Sequence, residues 1–159
     1  MPDAALVKAT IVAGARPLTG TDATLGGLGL PNPDQGFGRA DLAGTLPGDN
    51  RHLAFIDTLR APHALYAFDR TGVRRRFELN VNRPGPLTVA LVWTDRPGRS
   101  VQQDLGLFVE VPGGTKRIGN ESRAHRAFQT DIVNTVEVVR IEEPVPGPYL
   151  VNVISRSLA

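Results

Sequence analysis

The sequence of 159 residues has no cysteine, which excludes disulfides, thiolate zinc sites and cysteine nucleophiles. It has no apolar run near the roughly 20 residues of a membrane span, so no membrane partner is expected. No signal-peptide pattern opens the chain, so the signal of an exported protein would lie upstream of Met1. Lysine is nearly absent, with Lys8 and Lys116 alone, and the formal net charge is only +2. No nucleic-acid partner is expected from so even a balance. The densest basic run, Arg74, Arg75 and Arg76, enters a strand-like stretch whose alternate residues face opposite ways, and it reads as a solvated strand edge. Aromatics make up 6% of the chain, little material for the exposed rings of a sugar-binding face. The single tryptophan, Trp93, falls in phase with Val89 and Leu91, the core-facing positions of its strand.

Nucleophile chemistry is also poorly provided for. A serine hydrolase needs a serine within reach of a base. The serines are Ser100, Ser122, Ser155 and Ser157, and the histidines are His52, His63 and His125. None of these serines sits in a G-x-S-x-G elbow or any other glycine-flanked motif. Adjacent Glu142 and Glu143 would point to opposite faces of a strand, which argues against the paired carboxylates of a glycosidase. No catalytic residue is expected in this chain.

What the chain does contain falls into three zones. Residues 1–16 begin with Pro2 and Asp3, a helix start, and continue with Leu6, Val7, Ala9, Thr10, Ile11 and Ala13 until Gly14 and Pro17 end the run. A helix apolar nearly all round is expected to be buried against a larger body. Residues 17–50 are rich in Gly, Pro, Asp and Asn and read as loop, with a short helix around 39–43. From residue 51, strand-like runs recur near 53–60, 63–69, 74–82, 87–94, 104–111, 115–119, 134–142 and 148–155, with Pro/Gly turns between most of them. Leu87, Val89, Leu91 and Trp93 alternate with Thr88, Ala90, Val92 and Thr94; Phe77, Leu79 and Val81 alternate with Glu78, Asn80 and Asn82. Period two predicts antiparallel strands. The expected fold is mainly β: a jelly-roll-like antiparallel β-sandwich over 51–159, preceded by one helix and a long loop segment over 1–50.

Hard oxygen donors gather near the strand ends: Asp95, Asp104, Asn120, Asp131 and Asn134. Calcium takes six to eight such oxygens, often from Asp, Asn and carbonyls of loops. The same residue types also populate turns for their local hydrogen bonds, and no EF-hand spacing is present.

Five segments together resemble one family. PDAALVKATIVAGA (2–15) is similar to P-x-x-L-(V/I)-K-A-x-L-(I/V/L)-x-G-A, which follows the nucleophile helix in subtilisin-like serine proteases. PNPDQGFGRADL (31–42) resembles P-N-x-x-Q-G-(W/F/Y)-G-R-(V/A)-(N/D)-L, which closes their catalytic domain. LTVALVWTDRPG (87–98), QDLGLFVEVPGGTKRIGN (103–120) and DIVNTVEVVRIEEPVPGPYLVNV (131–153) resemble successive strands and turns of a β-sandwich appended to one branch of these subtilases. The five occur in the family's order and cover most of the chain.

The resemblance implies the C-terminal portion of a secreted serine endopeptidase. Residues 1–50 would be the end of its catalytic domain, and 51–159 an accessory sandwich that stabilises the core. The family's Asp/His/Ser triad lies upstream of the position matching Pro2, so the isolated chain would be inactive. The implied partner is the upstream catalytic domain, and the implied cofactor is structural calcium on Asp95, Asp104, Asn120, Asp131 and Asn134. The sequence departs from the pattern where donors would sit. N-D-L-D-L is Gln103-Asp104-Leu105-Gly106-Leu107, P-D-G is Pro112-Gly113-Gly114, and N-N-V-E is Asn134-Thr135-Val136-Glu137. The family's last strand is also missing, which predicts an open sheet edge. Two alternatives remain: a stand-alone module binding peptide or glycan, and a remnant that forms a homo-oligomer through the helix or the sheet edge.

Overall fold

The computed structural model describes residues 2–23, 30–48, 51–121 and 130–158. Its first element is helix α1, Ala4–Gly14. Asp3 caps it, its carboxylate accepting from the Ala4 amide at 2.8 Å. A one-turn helix, α2, spans Leu42–Thr45 and is capped by Asp41. Gly14 and Gly44 set the approach of the two helices. A Cβ on Gly14 would come within 2.6 Å of the Gly44 carbonyl carbon, so a side chain there would push the helices apart.

The loop between the helices is tied by its own polar residues. Arg16 and Arg39 exchange backbone hydrogen bonds of 2.8 Å in both directions, closing the neck of the loop. At its far side buried Asn32 accepts from the Asp34 and Gln35 amides at 3.1 Å, a side-chain turn of the kind Asn favours. Gln35 then reaches back, accepting from Leu18 N at 2.7 Å and donating to the Ala23 carbonyl at 2.8 Å. Residues 24–29 and 49–50 lie outside the described part of this zone.

The remainder is mainly β. Strands β1 (Arg74–Val81), β3 (Asp104–Glu110), β4 (Lys116–Ile118) and β6 (Gly147–Ser157) form a sheet in the order β1-β6-β3-β4. Strands β2 (Leu87–Val92) and β5 (Val136–Ile141) form a second sheet. All pairings are antiparallel. The core centres on Leu105, Leu107, Val109, Val139, Tyr149 and Val153, drawn from both sheets, with Val89, Leu91 and Trp93 packed on it. The predicted inward phase of β1 and β2 is therefore the observed one: Phe77, Leu79 and Val81 alternate with exposed neighbours. Helix α1 lies against β2, so β2 is half-buried along its whole length and its Thr88, Ala90, Val92 face is not open to solvent.

Two expectations differ from the structure. The runs 53–60 and 63–69 form no strand; they are turns and a short 3-10 helix, His63–Tyr66. Their apolar residues do not keep period two, and Phe55, Ile56, Leu59 and Leu65 stay exposed. The arginine run sits on β1, an edge strand, as expected. Arg74 and Lys116 stand over the Phe108 ring at 5.3 and 5.4 Å from its centroid, and Arg75 lies 6.0 Å from that of Phe68.

Candidate functional site

Fully buried Glu137 and the polar residues around it gather where β3 begins and β6 ends. The pairing of these strands shifts register between Asp104 and Leu105: Asp104 faces Ser157, and Leu105 faces Ser155. Arg156 is the extra residue of this bulge, and bulges re-aim side chains in this way. Its guanidinium turns to Asp104 and meets the carboxylate with both prongs, Nε to Oδ2 at 3.0 Å and Nη2 to Oδ1 at 2.8 Å. Nη2 also donates to the Leu105 carbonyl at 2.9 Å, to Glu137 Oε1 at 2.7 Å, and to the Asp131 carbonyl. Glu137, fully buried on β5, accepts through its other oxygen from the Leu107 amide at 2.5 Å. Two strands, one from each sheet, and one loop thus close on a guanidinium carried by a third strand, β6.

The electrostatics follow from burial and these contacts. Burial pushes the Glu137 carboxyl up to about 7, against the opposing pull of the Leu107 amide and the Arg156 charge. Burial works against the charge of Arg156, but the hydrogen bonds and charges of Asp104 and Glu137 outweigh it and hold the guanidinium above its ordinary range.

Asn120, Asp131 and Asn134 meet beside this group. Asp131 Oδ2 accepts from Asn120 Nδ2 and Asn134 Nδ2, both at 2.7 Å. Its Oδ1 accepts from the Val133 and Asn134 amides at 2.9 and 3.0 Å. Burial raises the Asp131 carboxyl, but these hydrogen bonds, Asn134 foremost, hold it below the usual carboxylate range. Asn120, in the left-handed region at φ 57°, accepts from Val138 N at 2.9 Å and donates to the Val136 carbonyl at 2.7 Å. It fastens the 118–121 turn to β5. Asp95 belongs to a different turn, accepting from the Gln102 and Gln103 amides at 2.6 and 3.0 Å.

The structure thus brings three of the five expected calcium ligands together, sets Asp104 on the neighbouring guanidinium, and leaves Asp95 bracing its own loop. Every side-chain oxygen of Asp104 and Asp131 already faces an N–H donor, as does the Asn120 amide oxygen. As arranged, these residues do not offer calcium an open set of oxygens. Among the described residues no group of three or more His, Asp or Glu side chains is placed to hold a metal ion.

The serines and histidines form no catalytic pair among the described residues. Ser155 is fully buried and its hydroxyl is held by the backbone of Arg70 and Val73. His63 Nδ1 accepts from the Asp57 amide at 3.3 Å. Ser122 and His125 lie outside the described residues.

A second feature is apolar. Pro2, Leu6, Val7, Thr10, Ile11, Thr45 and Phe55 line a groove along α1. Val7, Ile11 and Phe55 are 42%, 44% and 47% exposed. One face of the helix is therefore covered by β2 and α2, and among the described residues no helix or strand packs over the other.

No family model matches the sequence. A protein of Dictyostelium discoideum named serine protease/ABC transporter B family protein tagA is 24% identical over 168 residues. The likeness runs the full chain. It covers 99% of this sequence but only 9% of that protein, so the chain spans less than a tenth of its relative. The likeness to a protein of that name is a loose hint of a protease-associated domain. Among the described residues no helix is long and apolar enough to cross a membrane.

Proposed function

We propose that the chain is the C-terminal portion of a subtilisin-like serine endopeptidase exported from the cell. Residues 1–50 are the end of its catalytic domain, and 51–159 form an accessory β domain, sandwich-like and without a triad, that stabilises the catalytic core. The observation that carries this reading is the bare apolar face of α1. A helix with apolar side chains on both sides needs cover on both. β2 supplies one cover, and the catalytic body supplies the other. The ordered family motifs and the full-length likeness to a much longer protease-named protein support the same reading.

The test is direct. The DNA upstream of codon 1 at the native locus should encode, in frame, Ser, His and Asp motifs of a subtilase. The purified chain should not hydrolyse casein. Casein hydrolysis abolished by a serine-directed fluorophosphonate would overturn the triad-free assignment. A stop codon or an unrelated gene upstream would overturn the parent.

The same bare face favours a second reading, in which the partner is another copy of the chain. Light scattering at high protein concentration separates the two: a strict monomer removes self-association and leaves the catalytic body as the cover.

A further inference from the structure

Four oxygens converge on a single nitrogen, Arg156 Nη2: Asp104 Oδ1, the Leu105 carbonyl, the Asp131 carbonyl and Glu137 Oε1. A guanidinium Nη carries only two hydrogens. The four acceptors therefore share two hydrogens, each still within hydrogen-bond geometry. A spherical cation, which has no fixed bond directions, would serve the same four oxygens. Hard oxygen ligands, part carboxylate and part backbone carbonyl, drawn from strand ends and a loop, are what a calcium site assembles. The donor set points the same way. Asp104 and Glu137 bring two carboxyl groups, with side chains only 15% and 0% exposed, to the one guanidinium of Arg156.

The space for the guanidinium is prepared on the opposite strand. Gly106 on β3 carries no side chain, and a Cβ there would lie 2.8 Å from Arg156 Nη1 and 3.0 Å from Cζ. The bulge at Asp104/Leu105 delivers Arg156 to that space. Glycine, bulge and arginine thus serve one arrangement.

We infer that Arg156 is a built-in substitute for a divalent cation. It fills an oxygen cage that ties β3, β5, β6 and the Asp131 loop together, so the native chain holds this junction without calcium. Removing the guanidinium leaves two desolvated carboxylates and two carbonyls facing one another. That repulsive set becomes a divalent-cation site, with water completing the coordination. The inference concerns the β junction alone and does not depend on whether the parent is a protease.

The experiment compares wild type with Arg156→Ala in EDTA and in millimolar calcium, reading thermal unfolding through Trp93. That side chain is a local reporter, since its Nε1 donates to the Gln103 carbonyl at 2.6 Å, one residue from Asp104. Wild type should unfold at the same Tm in both buffers. R156A should unfold lower in EDTA and gain about 5 °C or more in calcium. If R156A is unfolded in EDTA, calcium should fold it, and the same fluorescence reports that. Adding Asp104→Asn to R156A should remove the calcium response. The inference is overturned if R156A, folded or unfolded, gives no response to calcium or manganese. It is equally overturned if R156A matches wild type in EDTA, or if wild type itself gains stability from calcium and loses that gain in D104N.

Discussion

The Arg156 junction and the α1 groove treat burial in opposite ways. At the junction, groups that water would solvate well are taken inside and matched to one another within the chain. Along α1, groups that water solvates badly are left outside. The first is a closed account of donors and acceptors; the second is half of a contact. Internal pairing and external incompleteness are different signs of function. A satisfied buried ionic group holds a fold in one arrangement, whereas an unsatisfied apolar face calls for a partner.

The sharpest way to break the closed side is to remove one member. Glu137→Leu strips the guanidinium of its most buried partner and leaves the Leu107 amide without an acceptor. The expected loss is about 3–5 kcal/mol, since it leaves the buried Leu107 amide without an acceptor and removes one charge-assisted hydrogen bond from Arg156, which keeps its pairing with Asp104. Chemical denaturation should show the midpoint falling with an unchanged slope. A loss below about 1 kcal/mol would mean that the junction is solvated in solution.

Asn120→Ala should cost less, about 2–3 kcal/mol. It removes the donors to Asp131 and Val136 and the acceptor for Val138, and it places alanine at φ 57°. Asn120→Gly, which tolerates that backbone, should recover a few tenths to about 1 kcal/mol of the loss. That difference separates backbone strain from lost hydrogen bonds.

Proton linkage tests the same region without mutation. Glu137 titrates near 7 in the folded chain against an ordinary 4.5, so the folded state binds its proton more tightly than the unfolded state. Stability should therefore fall as pH rises from about 5 to 8, by about 2 kcal/mol, and flatten above that range. Asp131 has the opposite sign. Its folded pKa lies below the ordinary value, so its contribution is present above the ordinary carboxylate range and is lost as pH falls through the lowered value. The pH 5 to 8 slope should vanish in Glu137→Gln while the acid limb remains. A slope that persists in Glu137→Gln would assign the titration to another group.

Much of this was open to reading from the sequence, but unevenly. The inward phases of β1 and β2 and the Asp3 cap follow from local patterns, because period two and helix capping are written in neighbouring residues. The runs 53–60 and 63–69 carry apolar content without period two, and the chain uses them as surface. Asp95, Asp104, Asn120, Asp131 and Asn134 stand out by residue type; the structure gathers Asn120, Asp131 and Asn134, sets Asp104 on the neighbouring guanidinium, and keeps Asp95 in its own turn. What type could not reveal was Arg156. Its role depends on a bulge, on β5 delivering Glu137 from the other sheet, and on Gly106 leaving room. The glycine was visible as a departure from the aspartate of the family pattern; that an arginine fifty residues later fills the space is a tertiary fact.

The smallest effect should come from the open side. Ile11 is 44% exposed in the last turns of α1, whose C-terminal end has no basic residue. Ile11→Lys adds a cation where the helix dipole favours one and gives up little burial within this chain. Isolated-chain stability should change by no more than about 0.5 kcal/mol. Any complex that covers this face must desolvate the new ammonium, so association with whatever partner covers it, the proposed catalytic body or a second copy, should weaken by a factor of about 10² or more. Equal stability with lost association would show that α1 is built for a partner. A loss above about 1.5 kcal/mol in the isolated chain would show that the face is already covered from within, and the comparison with the Arg156 junction would collapse.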